Sequence, residues 1–419
     1  MREDNKIGIK EDIEIFKINK EILRYAFFNT TNVIIVSLFS FITNLMIARI
    51  ASRDIYGTYL FILAIFNIFS IFTIPGLKTV IFKTSSQNYD RTYNKAIKLS
   101  LKASILSIIS LFFVGLYFLF FVRSIYHYDI GLTLIFISFL SPLVFSLEFW
   151  RVLLKGKQKF TISFLFNFMI SFLHFILILV FVFLFKFQYI ILLVLFYIIT
   201  KAFFNILFSN YCKKYNQNNL IEKNWKKQGY SLSIMDLSSI IYNSLDSFLL
   251  GLLLPLESVA IYGIILIIGN AIILVIKSII EIFLPRMYRS KKDFLFKDII
   301  ILFFLGVGIY VFLAFFIEYP IIFLFTLKYS EAVFYAQIFL IVIPFVLISA
   351  LLGPYLIKHN LNKEINITKI ITILSTVILY LILIPKFGTI GAVISSISFY
   401  IVQDSIIIIL IMIHKKKLK

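Results

Sequence analysis

The sequence predicts an all-α membrane protein: twelve transmembrane helices in two parallel six-helix lobes, with both termini cytoplasmic. Three observations predict it. Apolar runs of about 20 residues recur along the 419-residue chain, each long enough to cross roughly 30 Å of hydrocarbon. Hydrophobic residues make up 61% of the chain and charged ones only 15%, where a soluble protein carries about a quarter charged. Lys and Arg, finally, gather on alternate sides of successive runs, as cytoplasmic loops require.

Residues 1–21 alternate charge with Ile7, Ile9, Ile13, Ile15 and Phe16. That pattern fits a short helix at the membrane surface and equally a charged tail without structure. It has no small-residue cleavage site, so it does not read as a cleavable signal. Spans follow at 24–48, 55–74, 99–122, 130–153, 161–185, 190–211, 230–254, 257–284, 298–317, 331–352, 366–384 and 388–413.

The count rests on charge. With the N-terminus inside, the inner segments are the N-terminal stretch, 78–102, 151–159, 213–227, 286–297, 358–369 and 415–419. They hold 33 of the 41 Lys and Arg. The outer segments hold only Arg49, Arg53, Arg123, Lys186, Lys328 and Lys386, while Lys201 and Lys277 lie within spans. One helix missed or invented in mid-chain would abolish that asymmetry. The net charge of +20 therefore reads as a positive inner face touching anionic headgroups, with no nucleic-acid partner.

An internal repeat divides the chain. Asp54-Ile-Tyr-Gly-Thr-Tyr opens the second span and Ala260-Ile-Tyr-Gly-Ile-Ile the eighth, with Gly57 and Gly263 about half a chain length apart. Polar residues stripe the span before each, Ser40 and Thr43 in one, Asn243 and Asp246 in the other. Six plus six spans in the same orientation imply a parallel repeat about an axis along the membrane normal. The lobes are then 1–212 and 230–419, joined by a basic cytoplasmic linker or hinge, 213–229.

Catalytic and metal chemistry are hard to assemble. A single Cys212 rules out an internal disulfide and a cysteine metal cluster. No phosphate-cradling glycine loop and no HExxH are present. The histidines are scattered, and His174 reads as a hydrogen-bonded histidine within a bundle. Short outer loops favour transport over catalysis, so the chain reads as no enzyme and without a cofactor.

Charges inside spans carry the functional expectation, because a buried charge needs a partner or a wet cavity. Asp236, Ser239, Asn243 and Asp246 are spaced i, i+3, i+7, i+10 on one face of the seventh span. Asp404 lies in the twelfth and Lys201 near the middle of the sixth. Lys277 and Glu281 read either as an i, i+4 pair or as a cavity cation with a neighbour. Arg24 and Arg49 flank the first span and can snorkel. Glu148 and Arg151, i, i+3 at an inner helix end, read as a pair. A carboxylate with Ser, Asn and backbone oxygens suits sodium, and one that changes protonation suits a proton-coupled carrier. The coupling ion is thus H+ or Na+, and the only metal reading is sodium at Asp236 and Asp246.

Several stretches together resemble the polysaccharide (O-antigen-type, Wzx-like) flippases of the multidrug/oligosaccharidyl-lipid/polysaccharide exporter superfamily. They are residues 41–57, with Ala-Arg-Ile-Ala-Ser-Arg-Asp-Ile-Tyr-Gly at their end, 154–160, 243–263, 329–345 and 387–400 (Phe-Gly-Thr-Ile-Gly-Ala-Val-Ile-Ser-Ser-Ile-Ser-Phe-Tyr). The resemblance implies a MATE-like exporter fold with two lobes around a cation-lined cavity. It implies alternating access that carries an undecaprenyl-diphosphate-linked oligosaccharide across the bacterial cytoplasmic (inner) membrane. Membrane lipids, a polysaccharide polymerase and a chain-length regulator are the partners it implies. Arg49 matches a basic position of the first-span motif and is the first expectation for diphosphate contact. Lys201, Lys277 and Arg24 are further expected cavity cations. Asp236, Ser239, Asn243, Asp246, Asp404, Ser40 and Thr43 are the expected ion-coupling or cavity-lining groups. The alternative is multidrug efflux of the MATE type, and a third reading is a membrane scaffold or transferase subunit.

Overall fold

The computed structural model describes residue 28 and residues 30–123, 125–185, 190–281, 296–359 and 361–418. All of its regular elements are helices. In chain order they are α1 (Thr30–Ile50), α2 (Arg53–Ile68), α3 (Leu77–Ser86), α4 (Arg91–Phe120), α5 (His127–Phe145) and α6 (Trp150–Gly156). There follow α7 (Phe160–Phe185), α8 (Ile190–Cys212), α9 (Trp225–Leu253), α10 (Leu256–Glu281), α11 (Phe296–Phe316) and α12 (Glu318–Phe325). The last are α13 (Glu331–Phe339), α14 (Val342–Lys358), α15 (Asn362–Phe387) and α16 (Thr389–Leu418). Among the described residues, eleven helical stretches are long and apolar enough to cross a membrane. The seventh expected span falls on α9, which has 29 residues and is not one of the eleven. At 1.5 Å per residue it is long enough to cross. The expected N-terminal surface segment and Arg24 lie outside the described residues.

The repeat shows in which helices touch. In the first half α4 packs on α5, α5 on α8, and α7 on α8; in the second half α11 packs on α14, α14 on α16, and α15 on α16. The two halves meet along α2 and α10, the helices that carry the repeated Tyr-Gly. A Cβ at Gly57 would sit 1.9 Å from the Leu256 carbonyl oxygen, so only glycine lets these backbones approach. Gly263 packs against Leu60 from the other side. One apolar core accordingly runs through both halves, from Tyr56 and Phe61 to Tyr262, Tyr329 and Tyr380.

Two spans break at the same depth. The second ends in a 3-10 turn, Phe69–Thr73, and passes through Ile74 in left-handed conformation before α3. The fourth breaks at a 3-10 turn, Leu147–Phe149, between α5 and α6, so it runs from His127 to Gly156 rather than ending at 153. In hydrocarbon the backbone groups freed by such breaks need partners within the protein, and the sequence supplies them. Pro142 has no N–H for the Ser138 carbonyl, and Ser141 Oγ donates to that carbonyl at 2.8 Å. Asn205 Nδ2 donates to the Val144 carbonyl at 2.9 Å while its Oδ1 accepts from Trp150 Nε1 at 3.0 Å. Ser100 Oγ reaches the Thr73 carbonyl at 2.7 Å and Ser146 Oγ at 2.8 Å, joining the two breaks.

The expected hinge, 213–229, is tied down along its length. Gln217 N donates to Asp90 Oδ2 at 3.1 Å, Asn218 Nδ2 to the Asn88 carbonyl at 2.7 Å, and Glu222 N to Thr92 Oγ1 at 3.4 Å. Lys83 Nζ pairs with Glu222 at 2.9 Å, and Lys157 Nζ lies 2.6 Å from the buried Asp90. The segment is therefore a strap across the first half. Where it leads into α9, Gly76 N donates to Ser233 Oγ at 3.0 Å, and a Cβ at Gly76 would strike the backbone of Ser233 and Gly229.

Candidate functional site

The bundle holds a cavity in three adjoining parts, two of them between the halves and the third within the first half. The first, about 410 Å³, is bounded by α1, α2, α7, α8, α9 and α10. The second, about 500 Å³, lies along the two breaks and α9, and a third of about 350 Å³ reaches toward α1 and α7. Arg151 borders all three. Lys201 borders the first two, and Lys78 and Glu148 the second and third. These volumes lie in the range of small-ligand sites.

The breaks create this floor. Leaving α2, the chain turns and places Lys78 on the first turn of α3. Leaving α5, it places Glu148 within the 3-10 turn and Arg151 at the start of α6. Glu148 Oε1 pairs with Arg151 Nη1 at 2.8 Å, and its Oε2 accepts from Lys78 Nζ at 3.2 Å. Lys201, one turn from Tyr197 on α8, holds its ammonium 4.2 Å from that ring, a cation–π contact. His174 of α7 also meets Tyr197, edge to face at 4.5 Å. Around the cavity stand the cations Lys78, Arg151, Lys155 and Lys201 and the anions Glu148 and Asp236. That set can hold an anionic group by charge-assisted hydrogen bonds and hydroxyl-bearing groups by Asn, Ser and Thr.

The sequence expectations divide. Lys201, Ser40, Thr43 and Asn243 border the first part, and Asp236 and Asn243 the second. The first-span and seventh-span polar faces thus meet across one space. Asp246 does not share it. At 3.6 residues per turn it stands about 80° around α9 from Asp236 and about 60° from Asn243, off the edge of the arc formed by Asp236, Ile240, Asn243, Ser244 and Ser247. Its carboxylate turns into the second half, accepting from Tyr262 Oη at 2.8 Å and Ser247 N at 2.6 Å. Tyr262 Oη lies 2.7 Å from Ser396 Oγ, itself 3.0 Å from Tyr380 Oη. Asp404 is likewise buried in the second half and hydrogen-bonded to Ser349. The side chains of Ser239 and Glu281 lie outside the described residues.

Arg49 is not brought to the cavity. Cavity contacts on α1 end at Asn44, and Arg49, more than a turn beyond, is exposed while its carbonyl accepts from Lys328. Lys277 is exposed near the end of α10 and is not among the lining residues. What the sequence missed is the floor: Lys78, Tyr197 and the exposure of Glu148 and Arg151 to the cavity. Pro142 among Ser138, Ser141 and Ser146 was the available signal, because a proline flanked by hydroxyls marks a repaired helix break.

A helical bundle of two similarly packed halves around a polar, cation-bearing cavity has the architecture of a membrane transporter. This chain belongs to the polysaccharide biosynthesis protein family, whose model matches residues 22–291. Its fold resembles that of the lipid II flippase MurJ in an inward closed conformation, at 15% identity and a TM-score of 0.70 over 91% of this chain and 87% of that one. It also resembles an inward-facing multidrug resistance MATE family transporter of the MOP superfamily, at 13% identity and 0.64 over 91% and 95%. A third likeness is a MOP superfamily transporter from Pyrococcus furiosus described as having a binding pocket of reverse polarity, at 12% identity and 0.60 over 95% of each chain. No curated protein matches the sequence. The all-α, MATE-like exporter fold expected from the sequence is thus the observed one.

Proposed function

We propose that this protein is a flippase that moves undecaprenyl-diphosphate-linked oligosaccharide units from the inner to the outer leaflet of the bacterial cytoplasmic membrane. The observation that carries the reading is the floor of Lys78, Arg151 and Lys201 in a cavity between two halves of a polysaccharide biosynthesis family protein. A diphosphate needs cations, and guanidinium and ammonium groups held at fixed positions supply them. The oligosaccharide finds hydroxyl and amide partners in Ser40, Asn44, Asn67 and Asn243, while the polyprenyl tail stays in lipid. Twelve spans with both termini cytoplasmic complete the topology, and surface polysaccharide assembly with a polymerase and chain-length regulator is the setting.

The driving ion, H+ or Na+, acts in this reading at the buried carboxylates of the second half. Asp246 is 3% exposed and Asp404 3%, and among the described residues neither forms an ion pair within 4.0 Å. Binding of an ion there alters the packing of α9, α10 and α16, which adjoin the interface between halves. Catalysis has no role in it.

Complementation tests the proposal. Cells lacking their own flippase should export polysaccharide when given this gene with its cognate sugar pathway, and Arg151→Ala with Lys201→Ala should abolish export. Export that never appears, with resistance to cationic dyes instead, would favour multidrug efflux.

A further inference from the structure

Glu148 is an odd residue to find on the floor of a cavity meant for an anion. It sits in the 3-10 turn that breaks the fourth span, and each of its carboxylate oxygens is committed to a different cation. One is on α3, after the break of the second span, and the other on α6, after the break of the fourth. Its side chain is 24% exposed against 44% for Lys78 and 32% for Arg151, so the carboxylate is the inner member of the cluster and the cations are its exposed rim. All three residues border both the second and third cavity parts.

We propose that Glu148 is a resident competitor, a carboxylate that occupies Lys78 and Arg151 in the empty carrier and is exchanged for the phosphate oxygens of the incoming head group. This rests on the anionic-substrate reading given above and deepens it by naming the residue that sets the affinity. A phosphate group presents the same paired oxygens to guanidinium and ammonium as a carboxylate does. Removing one partner of a close charge pair leaves the other uncompensated. Glu148 keeps Lys78 and Arg151 compensated in a low-dielectric site while no substrate is present. It also lowers the net attraction for any anion by the amount needed to break its own contacts. A carrier needs that, because a cluster of uncompensated cations would hold a diphosphate too tightly to release it on the far side.

The same geometry makes the exchange selective. A small monovalent anion can only trade places with Glu148 and brings no more charge than the carboxylate it displaces. A diphosphate carries more charge, can satisfy Lys78 and Arg151 together and still reach Lys201. Glu148 thus discriminates against common small anions by occupying the site they would enter.

Fluorescence titration of the full-length protein in detergent tests this, with farnesyl diphosphate as the probe. The chain has two tryptophans, and Trp150 stacks near the Arg151 guanidinium, 5.4 Å from ring to carbon. A Trp225→Phe background therefore reports on the site. The expected result is saturable binding by wild type, weakened at least tenfold by Arg151→Ala and tightened about tenfold by Glu148→Gln. Glu148→Asp, too short to grip both cations at once, should fall between wild type and Gln. A residue with only a structural role would not tighten binding when neutralised. Unchanged or weaker binding by Glu148→Gln, with Arg151→Ala still defective, overturns the competitor role and leaves the cation site standing. If the Gln variant does not fold, the Asp variant decides by the same criterion. Absence of binding by wild type itself overturns the anionic-substrate reading and this inference with it.

Discussion

Asn205 shows how much rests on single uncharged side chains. It lies one turn beyond Lys201 on α8 and is 3% exposed. Its amide joins the Val144 carbonyl to the Trp150 indole across the break of the fourth span. Replacing it by Leu orphans a buried N–H and a buried carbonyl, at about 1–3 kcal/mol each. Asn205→Leu is therefore expected to lower the thermal unfolding midpoint in detergent and to reduce export, since Arg151 follows Trp150 directly. A variant with wild-type midpoint and export would show that the break needs no such support. The sequence exposed Lys201 at once, because charge in a hydrophobic run is costly. It left Asn205 silent, because an uncharged polar residue in a helix bonds to its own backbone as readily as to a neighbour. Asp246 was legible as buried, but not its direction: 80° of rotation around a helix separates a residue that faces the cavity from one that faces the second half's core.

Among the elements, the segment 213–229 was legible in sequence only as a basic linker or hinge between the halves. Nothing local in it reveals that its partners lie some 130 residues earlier. Asp90 is 2% exposed and takes part in contacts to Lys157, Gln217 and Asn218. Asp90→Ala leaves Lys157 uncompensated at a site only 14% exposed, a change of about 3–5 kcal/mol where such a pair is fully buried. It should free the strap, and tryptic cleavage at Lys213, Lys214 or Lys223 should accelerate at least several-fold; unchanged cleavage would mean the strap holds without Asp90. The Lys83–Glu222 pair adds a pH dependence. The hydrogen bond from Lys83 holds the Glu222 carboxyl below its usual range, against the opposing effect of burial. Its contribution is present in full above the unfolded pKa of about 4.3 and is lost as pH falls through the lower folded value. The pair is solvent-exposed, so it contributes less than about 1 kcal/mol. Lys83→Gln should lower the unfolding midpoint slightly at pH 7, with a gap that shrinks as pH falls below about 4.3, and a gap that stays constant on acidification would exclude the pair as its source.

On the scale of the whole molecule, ion pairs and close backbone packing both join the two halves at the end that the charge pattern assigns to the outside. Arg53 at the start of α2 stands 3.7 Å from Glu257 on α10 and 3.5 Å from Glu331 on α13. Lys328 Nζ donates to the carbonyls of Ala51 at 2.6 Å and Arg49 at 3.1 Å. The Gly57 contact lies one turn further in. Each of these crosses from one half to the other, and in a carrier that alternates they must all separate together. The exposed ion pairs are individually weak, so the packing at Gly57 decides whether the closed arrangement exists. This was the part of the design most legible in the sequence: the duplicated Ile-Tyr-Gly marked the two helices that meet, although pattern alone could not say that they meet each other. Gly57→Leu places a branched side chain where even a methyl would overlap the Leu256 carbonyl, which forces α2 and α10 apart at their outer ends. The halves should then rest open to the outside, and the cavity should become accessible from there. Asn44→Cys in a Cys212→Ser background puts a thiol in the first cavity part, with no other cysteine in the chain. Labelling of that thiol by a membrane-impermeant reagent added to intact cells is expected to rise at least several-fold with Gly57→Leu, and export to fall. If labelling stays at the Gly57 level in a folded variant, the α2–α10 contact is not the outer closure, and the ion pairs around Arg53 and Lys328 would have to hold the halves by themselves.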